Sequence, residues 1–447
     1  MLTKLFGTDG IRGRYGEFPL DERTIYAVGL ALAQHISKMR RRKVLIGMDT
    51  RESSPEIVRL LAAGLRDGGS EREFAGVVPT PAVAFATQYD DYSLGVVVSA
   101  SHNPFEDNGI KVFGPFGYKL PGETEEQIEG RIHALLSSGV EPAGESLDEN
   151  SDIQAGYIRH LIRSSNPPPR AKHLQFVVDC ANGAASEIAP LAFLQFGGDA
   201  KFISCHPDGR NINLDCGALD VDRLAVEVVE SGADFGAALD GDADRCLFVD
   251  ERGQRLDGDN VLLVAATALK RRRLLHDHLV VATVMSNLGL DMALQKEGIR
   301  LIRTPVGDKH VIHEMLSSGA ALGGEQSGHA IFGDYSTTGD GLLTLFMMLR
   351  ILGDEQVPCS ELRKRLRPFP QKLISVRVKE KPPLDLLPEI RRDIADRELE
   401  LAGRGRVIIR YSGTEPVVRV MVEAERFQDV LRHCTAIASL FQKHIGP

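Results

Sequence analysis

The sequence predicts an α/β protein made of three related α/β domains, with mixed, mostly parallel sheets, followed by a smaller C-terminal α+β domain. Two observations favour this class. Strand and helix signals alternate through most of the chain, and each of three repeats is followed by a loop dense in polar residues. The end of the chain has a different order of elements. We place the domains at 1–155, 156–256, 257–368 and 369–447.

The first repeat contains clear start signals for its helices. Asp21 is placed to cap a helix with an apolar face. The stretches KVLIGMD (43–49) and LGVVVSA (94–100) are typical of buried strands. Between them, Ser54 followed by Pro55 predicts the N-cap and first turn of a second helix. The predicted apolar face of the first helix has four members: Ile25, Val28, Leu32 and Ile36.

The next two repeats have the same form. LQFVVDCANGAASEI (174–188) and LVVATVMSNLGLDMAL (279–294) each read as a strand, a turn of small residues and a helix. The polar loops of the three repeats lie at 99–108, 238–245 and 323–329. Because open α/β sheets bind ligands at the carboxyl ends of their strands, we expect all three loops to line a site.

The tail follows a different pattern. After RPFPQ (367–371) the order is strand, charged helix, strand, strand and final helix, which predicts a small α+β domain from about residue 370 to the end.

The composition argues against several classes of protein. The net charge of −9 disfavours a nucleic-acid partner, since nucleic-acid binding depends on Lys and Arg that neutralise phosphates. No apolar run approaches the ~20 residues of a membrane span, and the N-terminus lacks a signal peptide's apolar stretch, so we expect a cytoplasmic protein with no membrane partner. The six cysteines are scattered singly, which argues against disulfides or a zinc site.

The acidic loop LDGDADRCLFVDE (239–251) has the strongest chemical signal. Asp240, Asp242 and Asp244 alternate with small residues, so their carboxylates can converge on one hard cation, Mg²⁺ or Ca²⁺. An EF-hand does not fit, because Arg245 stands where the sharp turn needs Gly and both flanks read as strands. Three neighbouring carboxylates repel one another without a cation, which favours a metal site over a solvated acidic turn.

The loop in VVVSASHNPFEDNGIKVFG (96–114) offers a nucleophile. Ser101 lacks the GxSxG elbow of hydrolases, and His102 is predicted to be a poor partner for it, because adjacent side chains of an extended segment point to opposite faces. A serine that carries a phosphoryl group fits better. Its phosphate would supply a fourth metal ligand beside the three aspartates, while Lys111 and Arg12 neutralise the remaining charge. A capped turn with local hydrogen bonds is the plain alternative.

The loop GGEQSGH (323–329) looks like a sugar-binding surface. Glu325 and Ser327 provide the acceptor and donor that vicinal sugar hydroxyls require. His329 has the residue type for moving a proton near neutral pH, although a single histidine is often structural.

A fourth loop, in RYSGTEPVVR (410–419), is typical of a phosphate cradle. It combines a glycine, two hydroxyls and arginines, which suit phosphate oxygens. Its candidate phosphate ligands are Arg410, Ser412, Gly413, Thr414 and Arg419.

Taken together, SASHNP, DGDADR, GEQSGH and RYSGTEP resemble, in the same order, the phosphoserine, magnesium, sugar and phosphate loops of the α-D-phosphohexomutase family. The resemblance extends along the whole chain. It implies an active site in the central cleft, one Mg²⁺ per chain held by Ser101 and the three aspartates, phosphorylation of Ser101, and a sugar 1,6-bisphosphate as activator and intermediate.

The resemblance also implies a role for each site residue. Ser101, His102, Lys111, Arg12, Arg245 and His329 would be catalytic, and Gly307 and Lys309 of VGDKH would bind substrate with the sugar and phosphate loops. Within the family, FGTDGIRG (6–13) and GGEQSGH are most similar to the branch that interconverts glucosamine 6-phosphate and glucosamine 1-phosphate for UDP-N-acetylglucosamine and cell-wall synthesis. Lys309 departs from that pattern, where Arg is commoner.

Other functions stay open at this point. The chain could belong to the phosphomannomutase/phosphoglucomutase branch, or be a Mg²⁺-dependent sugar-phosphate phosphatase with Asp240 as nucleophile. A silent sugar-phosphate sensor ranks last, because Ser101 and the aspartates are intact. The expected partners are small sugar phosphates, and a homodimer and an activating kinase are left open.

Overall fold

The structure is a computed structural model that describes residues 4–7, 9–401, 403–412 and 416–447. The chain forms two compact units. The larger unit comprises Met1–Met285 and Glu297–Arg365, and the smaller unit comprises Ser286–Lys296 and Leu366–Pro447.

The larger unit contains three sheets. The first has six strands in the order β1-β2-β6-β5-β3-β4. Its strands are β1 Phe6–Gly7, β2 Gly10–Arg14, β3 Lys43–Met48, β4 Glu71–Val77, β5 Leu94–Val98 and β6 Asp107–Phe113. The helices of this part of the chain are α1 Glu22–Ile36, α2 Ser54–Asp67, α3 Thr80–Tyr89 and α4 Gly122–Ser137, and α5 Asp152–Ser165 follows.

The second sheet has the order β11-β10-β9-β7-β8, and the third has the order β13-β12-β14-β15. The strands are β7 Gln175–Asp179, β8 Asp199–Ile203, β9 Phe235–Leu239, β10 Cys246–Asp250, β11 Arg255–Leu256, β12 Leu279–Thr283, β13 Arg300–Thr304, β14 Leu322–Gly324 and β15 Ala330–Phe332. The helices are α6 Ala185–Phe196, α7 Asp222–Ser231, α8 Gly258–Arg271, α9 Leu288–Lys296, α10 Asp308–Ser318, α11 Gly341–Glu355 and α12 Cys359–Arg363.

The three sheets share one plan, which confirms the predicted relation between the domains. If β1 and β2 of the first sheet are left aside, the first strand of each sheet lies between the second and third and is parallel to both, while the fourth is antiparallel to the third. The three polar loops each connect the third strand to the fourth. They therefore leave the carboxyl end of a central strand, where ligands of open α/β sheets bind.

The first helix matches the sequence prediction, and the second differs at its cap. The backbone N–H of Thr24 donates to Asp21 at 3.1 Å, and all four apolar residues predicted for the face of α1 are buried. In α2 the prediction of Ser54 as the N-cap was wrong, because the cap is Ser53 and Ser54 is already helical. The hydroxyl of Ser54 instead donates to Asp49 at 2.9 Å, so a tertiary contact uses the group that the local pattern assigned to capping.

The smaller unit has the predicted order of strand, helix, strand, strand and helix. Its antiparallel sheet has the order β16-β18-β17, and α9 joins it through Leu288, whose N–H donates to Glu423 at 3.2 Å. Valines of β18 and Phe441 of the last helix form its core. The elements are β16 Gln371–Arg377, α13 Pro388–Leu401, β17 Gly405–Tyr411, β18 Val417–Ala424 and α14 Phe427–Ile445.

Two findings bear on the classes considered above. All six cysteines are unpaired in the structure. Among the described residues, no helix combines the length and apolar character that a membrane crossing requires.

Candidate active site

The loop at 99–108, which carries Ser101 and is called the serine loop below, begins where the fully buried strand β5 ends. Ser99 donates its hydroxyl to Asp49 at 2.6 Å and accepts the backbone N–H of Ser101 at 2.9 Å. Ser101 is 1% exposed and has a φ of 54°, a left-handed conformation that non-glycine residues rarely adopt. In this turn, the Ser101 hydroxyl donates to Asp240 at 2.7 Å.

The three aspartates of the acidic loop converge as the spacing predicts. One oxygen from each of Asp240, Asp242 and Asp244 lies within 4.8 Å of the others, and all three residues are buried. One oxygen of Asp242 and one of Asp244 are buried without a hydrogen-bond partner in the described part of the chain. The flanking elements are strands β9 and β10, as expected for a site that is not an EF-hand. A buried set of oxygen donors with unfilled acceptor capacity fits Mg²⁺ or Ca²⁺.

The electrostatics of this cluster favour a nearby positive charge. Burial and the carboxylates of Asp244 and Asp242 raise the pKa of Asp240 well above its ordinary value. Burial acts in the same direction on Asp242, but the Lys111 ammonium at 2.7 Å outweighs it and holds the pKa of Asp242 below its usual range. Thr80 also donates to Asp242, at 2.5 Å.

Lys111 lies at the centre of the acidic groups, as expected for a neutralising residue. Its ammonium is 3.1 Å from Asp9 and 3.4 Å from Asp244, in addition to its contact with Asp242. Burial opposes the charge, yet these carboxylates raise the pKa of Lys111 well above its ordinary value. Lys111 is therefore a cation fixed beside the Ser101 loop.

Two predicted catalytic arginines border this cluster. Arg12 donates to the carbonyl of Ala100 and the side chain of Asn103, both at 3.2 Å, and to Asp9 at 2.6 Å. The Nε of Arg245 lies 3.8 Å from Asp244. Burial disfavours charge on Arg245, but the aspartates of the loop outweigh it and raise the pKa of the guanidinium.

The prediction that His102 is a poor partner for Ser101 was wrong. The Nδ1 of His102 lies 3.3 Å from the Ser101 hydroxyl oxygen. The prediction assumed an extended segment, whereas the left-handed φ of Ser101 turns the two side chains toward each other. Burial, together with the charges of Arg245 and Arg12, lowers the pKa of His102 to about 4, so its imidazole is neutral near pH 7.

The sugar loop lies next to these groups. The backbone N–H of Gly307 donates to Glu325 at 3.2 Å, so two predicted substrate-binding residues are brought together. Ser327 is exposed. His329 is 3% exposed, with neither ring nitrogen hydrogen-bonded in the described part of the chain, and its Nε2 lies 3.9 Å from Asp244.

Lys309 makes a contact that the sequence did not suggest. Its ammonium donates to Glu125 of α4 at 2.5 Å, so this predicted substrate-binding residue pairs with a carboxylate of the first predicted domain. The neighbouring Asp308 pairs with the buried Lys119, which also pairs with Asp9.

The phosphate loop belongs to the smaller unit. Arg410 and Arg419 are cross-strand partners on β17 and β18, and Ser412 is buried at the end of this hairpin. Lys381 donates to the Ser412 carbonyl at 2.6 Å. Gly413 and Thr414 lie outside the described residues.

The sequence analysis did not identify several residues of the site. Asp9 sits inside the quoted FGTDGIRG motif, so its place between two glycines was an available signal. Arg51 and Asp49 follow β3 at the same sheet edge as the serine loop, which was a second signal. No sequence signal pointed to Thr80 as a site residue, because its neighbours only indicate the start of a helix.

Comparison with known proteins agrees with this geometry. Four family profiles of the phosphoglucomutase/phosphomannomutase type match the chain. They describe alpha/beta/alpha domain I over 3–138, alpha/beta/alpha domain II over 155–253, alpha/beta/alpha domain III over 257–369 and the C-terminal domain over 373–439.

Individual relatives cover the whole chain. The phosphoglucosamine mutase of Solibacter usitatus is 46% identical over 450 residues, with 100% of both chains covered. A phosphoglucomutase/phosphomannomutase family protein of Burkholderia thailandensis has the same fold, with a TM-score of 0.80 and 24% identity over 98% of each chain. The N-acetylphosphoglucosamine mutase of Aspergillus fumigatus, solved with GlcNAc-6P and magnesium, has a TM-score of 0.69 at 18% identity, covering 98% of this chain and 95% of its own. The chain is thus a member of the phosphoglucomutase/phosphomannomutase family.

Proposed function

We propose that the chain is a phosphoglucosamine mutase that interconverts glucosamine 6-phosphate and glucosamine 1-phosphate. The observation that carries the proposal is the Ser101 hydroxyl, which is held 2.7 Å from Asp240 at a buried triad of carboxylates. The choice of sugar rests on relatives named phosphoglucosamine mutase, which match the full chain at 41 to 46% identity.

In the proposed first step, phosphoserine 101 gives its phosphoryl group to the 1-hydroxyl of glucosamine 6-phosphate. A bond forms between that oxygen and phosphorus, the Oγ–P bond breaks, and the proton of the sugar hydroxyl passes to a protein base. The 1,6-bisphosphate then turns over in the site. Ser101 Oγ attacks the 6-phosphate, the bond from O6 to phosphorus breaks, and O6 takes up a proton, so no phosphate is consumed.

The buried charges suit this chemistry. Asp240, Asp242 and Asp244, with an oxygen of the phosphoserine, would hold one Mg²⁺, which offsets the negative charge of the transferring group when bound. Lys111 is already fixed among the carboxylates and supplies a permanent positive charge. Phosphoryl transfer depends on such positioning and charge stabilisation.

Three further residues complete the catalytic set. Arg12 and Arg245 border the same cluster and are proposed to contact the phosphoryl oxygens. His329 is proposed to move the proton of the sugar hydroxyl. This role is supported by the position of the imidazole, which is buried close to Asp244 and has no hydrogen-bond partner in the described part of the chain.

The sugar and its phosphate would bind through the remaining loops. Glu325 and Ser327 are proposed to hold the hydroxyls, with Gly307 and Lys309 beside them. The proposed phosphate ligands are Arg410, Ser412, Gly413, Thr414 and Arg419. The domain boundaries, the cytoplasmic location, the homodimer and the activating kinase stay predictions.

A direct test compares glucosamine, glucose and mannose 6-phosphates as substrates, with a hexose 1,6-bisphosphate as activator and intact-mass analysis of the enzyme. We expect glucosamine 6-phosphate to give the highest kcat/KM and phosphate to reside on Ser101. Mannose 6-phosphate at equal or higher kcat/KM would assign the chain to the phosphomannomutase branch. Release of inorganic phosphate with phosphate on Asp240 would instead make it a phosphatase.

A further inference from the structure

The turn that carries Ser101 is held by donors from two separate parts of the chain. Arg51, which is 1% exposed, donates through Nη2 to the carbonyls of Ser101 and Asn103 at 2.9 and 2.8 Å. The side-chain amide of Asn213 donates to the same two carbonyls, at 3.0 and 3.2 Å. Arg51 follows β3 in the first sheet, whereas Asn213 lies between β8 and α7 of the second. The second sheet's loop therefore takes part in holding the serine turn.

The backbone around Asn213 fixes this amide in place. Asn213 has a φ of 58°, a left-handed conformation that Asn tolerates better than most residues, and its N–H donates to the carbonyl of Ala181 at 2.9 Å. Because both partners of the side chain are carbonyl oxygens, only its NH₂ group can face them. The same loop is tied to the first domain at a second point, where Arg210 pairs with Glu52 at 2.6 Å.

The acidic loop packs against the same carbonyl. A Cβ added to Gly241 would lie 2.5 Å from the Ser101 oxygen and 2.8 Å from the Asn213 amide nitrogen. The glycine between Asp240 and Asp242 therefore allows three chain segments to meet at one point. A shift of the serine turn at this point would change the 2.7 Å contact between the Ser101 hydroxyl and Asp240.

We propose that Asn213 is a positioning residue for phosphoryl transfer. It holds the left-handed turn of Ser101 against the acidic loop and so sets the direction of the Ser101 Oγ. Within the described part of the chain, its side-chain amide donates to backbone carbonyls and not to the Ser101 hydroxyl or the aspartates, so it acts through Ser101. A turn in a rarely populated conformation persists only when its surroundings fix it, which is the task of these donors. This inference rests on the proposed role of Ser101 as the phosphoserine.

Two substitutions test the proposal. Asn213→Gly removes the amide and keeps a residue that accepts a left-handed backbone. Asn213→Asp keeps the shape but places a carboxylate against two carbonyl oxygens. We expect both to lower kcat for glucosamine 6-phosphate, and the single-turnover rate of phosphate loss from Ser101, by about ten- to a hundredfold. KM should change less than about twofold, since uniform substrate binding is left intact.

The matched control is Arg210→Ala, which breaks the other side-chain link of the same loop without touching the serine turn. In the wild-type chain the Arg210 side chain is 69% exposed, so kcat of the variant should stay at the wild-type value. Unchanged kcat in folded Asn213→Gly, a change in KM alone, or an equal loss in Arg210→Ala would each overturn the proposal. Thermal unfolding checks the fold, and Asn213→Asp decides if Asn213→Gly does not fold. A wild-type enzyme with no phosphate on Ser101 would refute the proposed function instead.

Discussion

The acidic loop after β9 and the sugar loop after β14 each join the third strand of a sheet to the fourth. The two loops differ in the burial of their side chains and in the hydrogen bonds that these side chains accept. The three aspartates of the acidic loop are buried, and Ser101, Thr80 and Lys111 donate to them. In the sugar loop, His329 is buried, but Ser327 is exposed and Glu325 is only partly buried.

Under the proposed function, one topological position serves two physical tasks. Phosphoryl transfer needs charges that are fixed before the reaction and kept from water, because electrostatic stabilisation is strongest in a dry, preorganised site. Sugar binding needs groups that accept a ligand and release it again. The comparison therefore predicts large effects on kcat from Ser101 and the buried aspartates, and smaller effects, expressed partly in KM, from Glu325 and Ser327 of the sugar loop.

The largest effect is expected from Ser101→Ala. The variant lacks the oxygen that receives the phosphoryl group, so mutase turnover should fall by several orders of magnitude while sugar-phosphate binding persists. Turnover assays and calorimetric titration with glucosamine 6-phosphate measure the two quantities. Ser138→Ala, at an exposed helix end, is the control and should behave as wild type. Near-normal turnover in Ser101→Ala would contradict the phosphoserine mechanism.

The next effect is expected from Asp242→Asn. Removing one carboxylate of the triad should weaken Mg²⁺ binding at least about tenfold and lower turnover with it. Titration calorimetry with Mg²⁺ on the purified chain gives the affinity independently of activity. The exposed Asp148→Asn is the matched charge control. Full activity of the wild-type enzyme in excess chelator would argue against a metal-dependent step.

A smaller effect is expected from Glu325→Gln. The amide oxygen can still accept the N–H of Gly307, but the charged acceptor for a sugar hydroxyl is lost. We expect kcat/KM to fall by about 10- to 100-fold, the range that corresponds to one hydrogen bond to a charged group, with the glucosamine substrate affected most if its ammonium lies near the carboxylate. Steady-state kinetics with the three sugar phosphates provide the comparison. A loss as large as that of Ser101→Ala would remove the distinction between the two loops.

The smallest effect is expected from Lys309→Arg. The Lys309 side chain is 27% exposed and its ammonium is paired with Glu125, and such partly exposed pairs contribute little free energy. Arginine keeps the charge and adds a forked donor, so KM should change by less than about fivefold and kcat should not change. Steady-state kinetics at several ionic strengths measure both. A large fall in kcat would show that Lys309 acts in the chemical step.

Much of the fold follows from local patterns. Asp21, the apolar face of α1 and the buried strands were predictable because caps and hydrophobic periodicity act within a few residues. The one-residue error at Ser54 has the opposite cause, since its hydroxyl bonds to Asp49 in another element. The roles of Arg245 and Gly307 were suggested only by resemblance to a family.

The sequence by itself determined the order of the elements, the four polar loops and the convergence of the three aspartates, which are separated by single residues. The tertiary structure decided the rest. It placed Asp9 beside Lys111, turned His102 toward Ser101 and brought Asn213 to a carbonyl 112 positions away. Contacts of that kind depend on how sheets and loops pack, and packing between distant segments leaves no periodic signal in the chain.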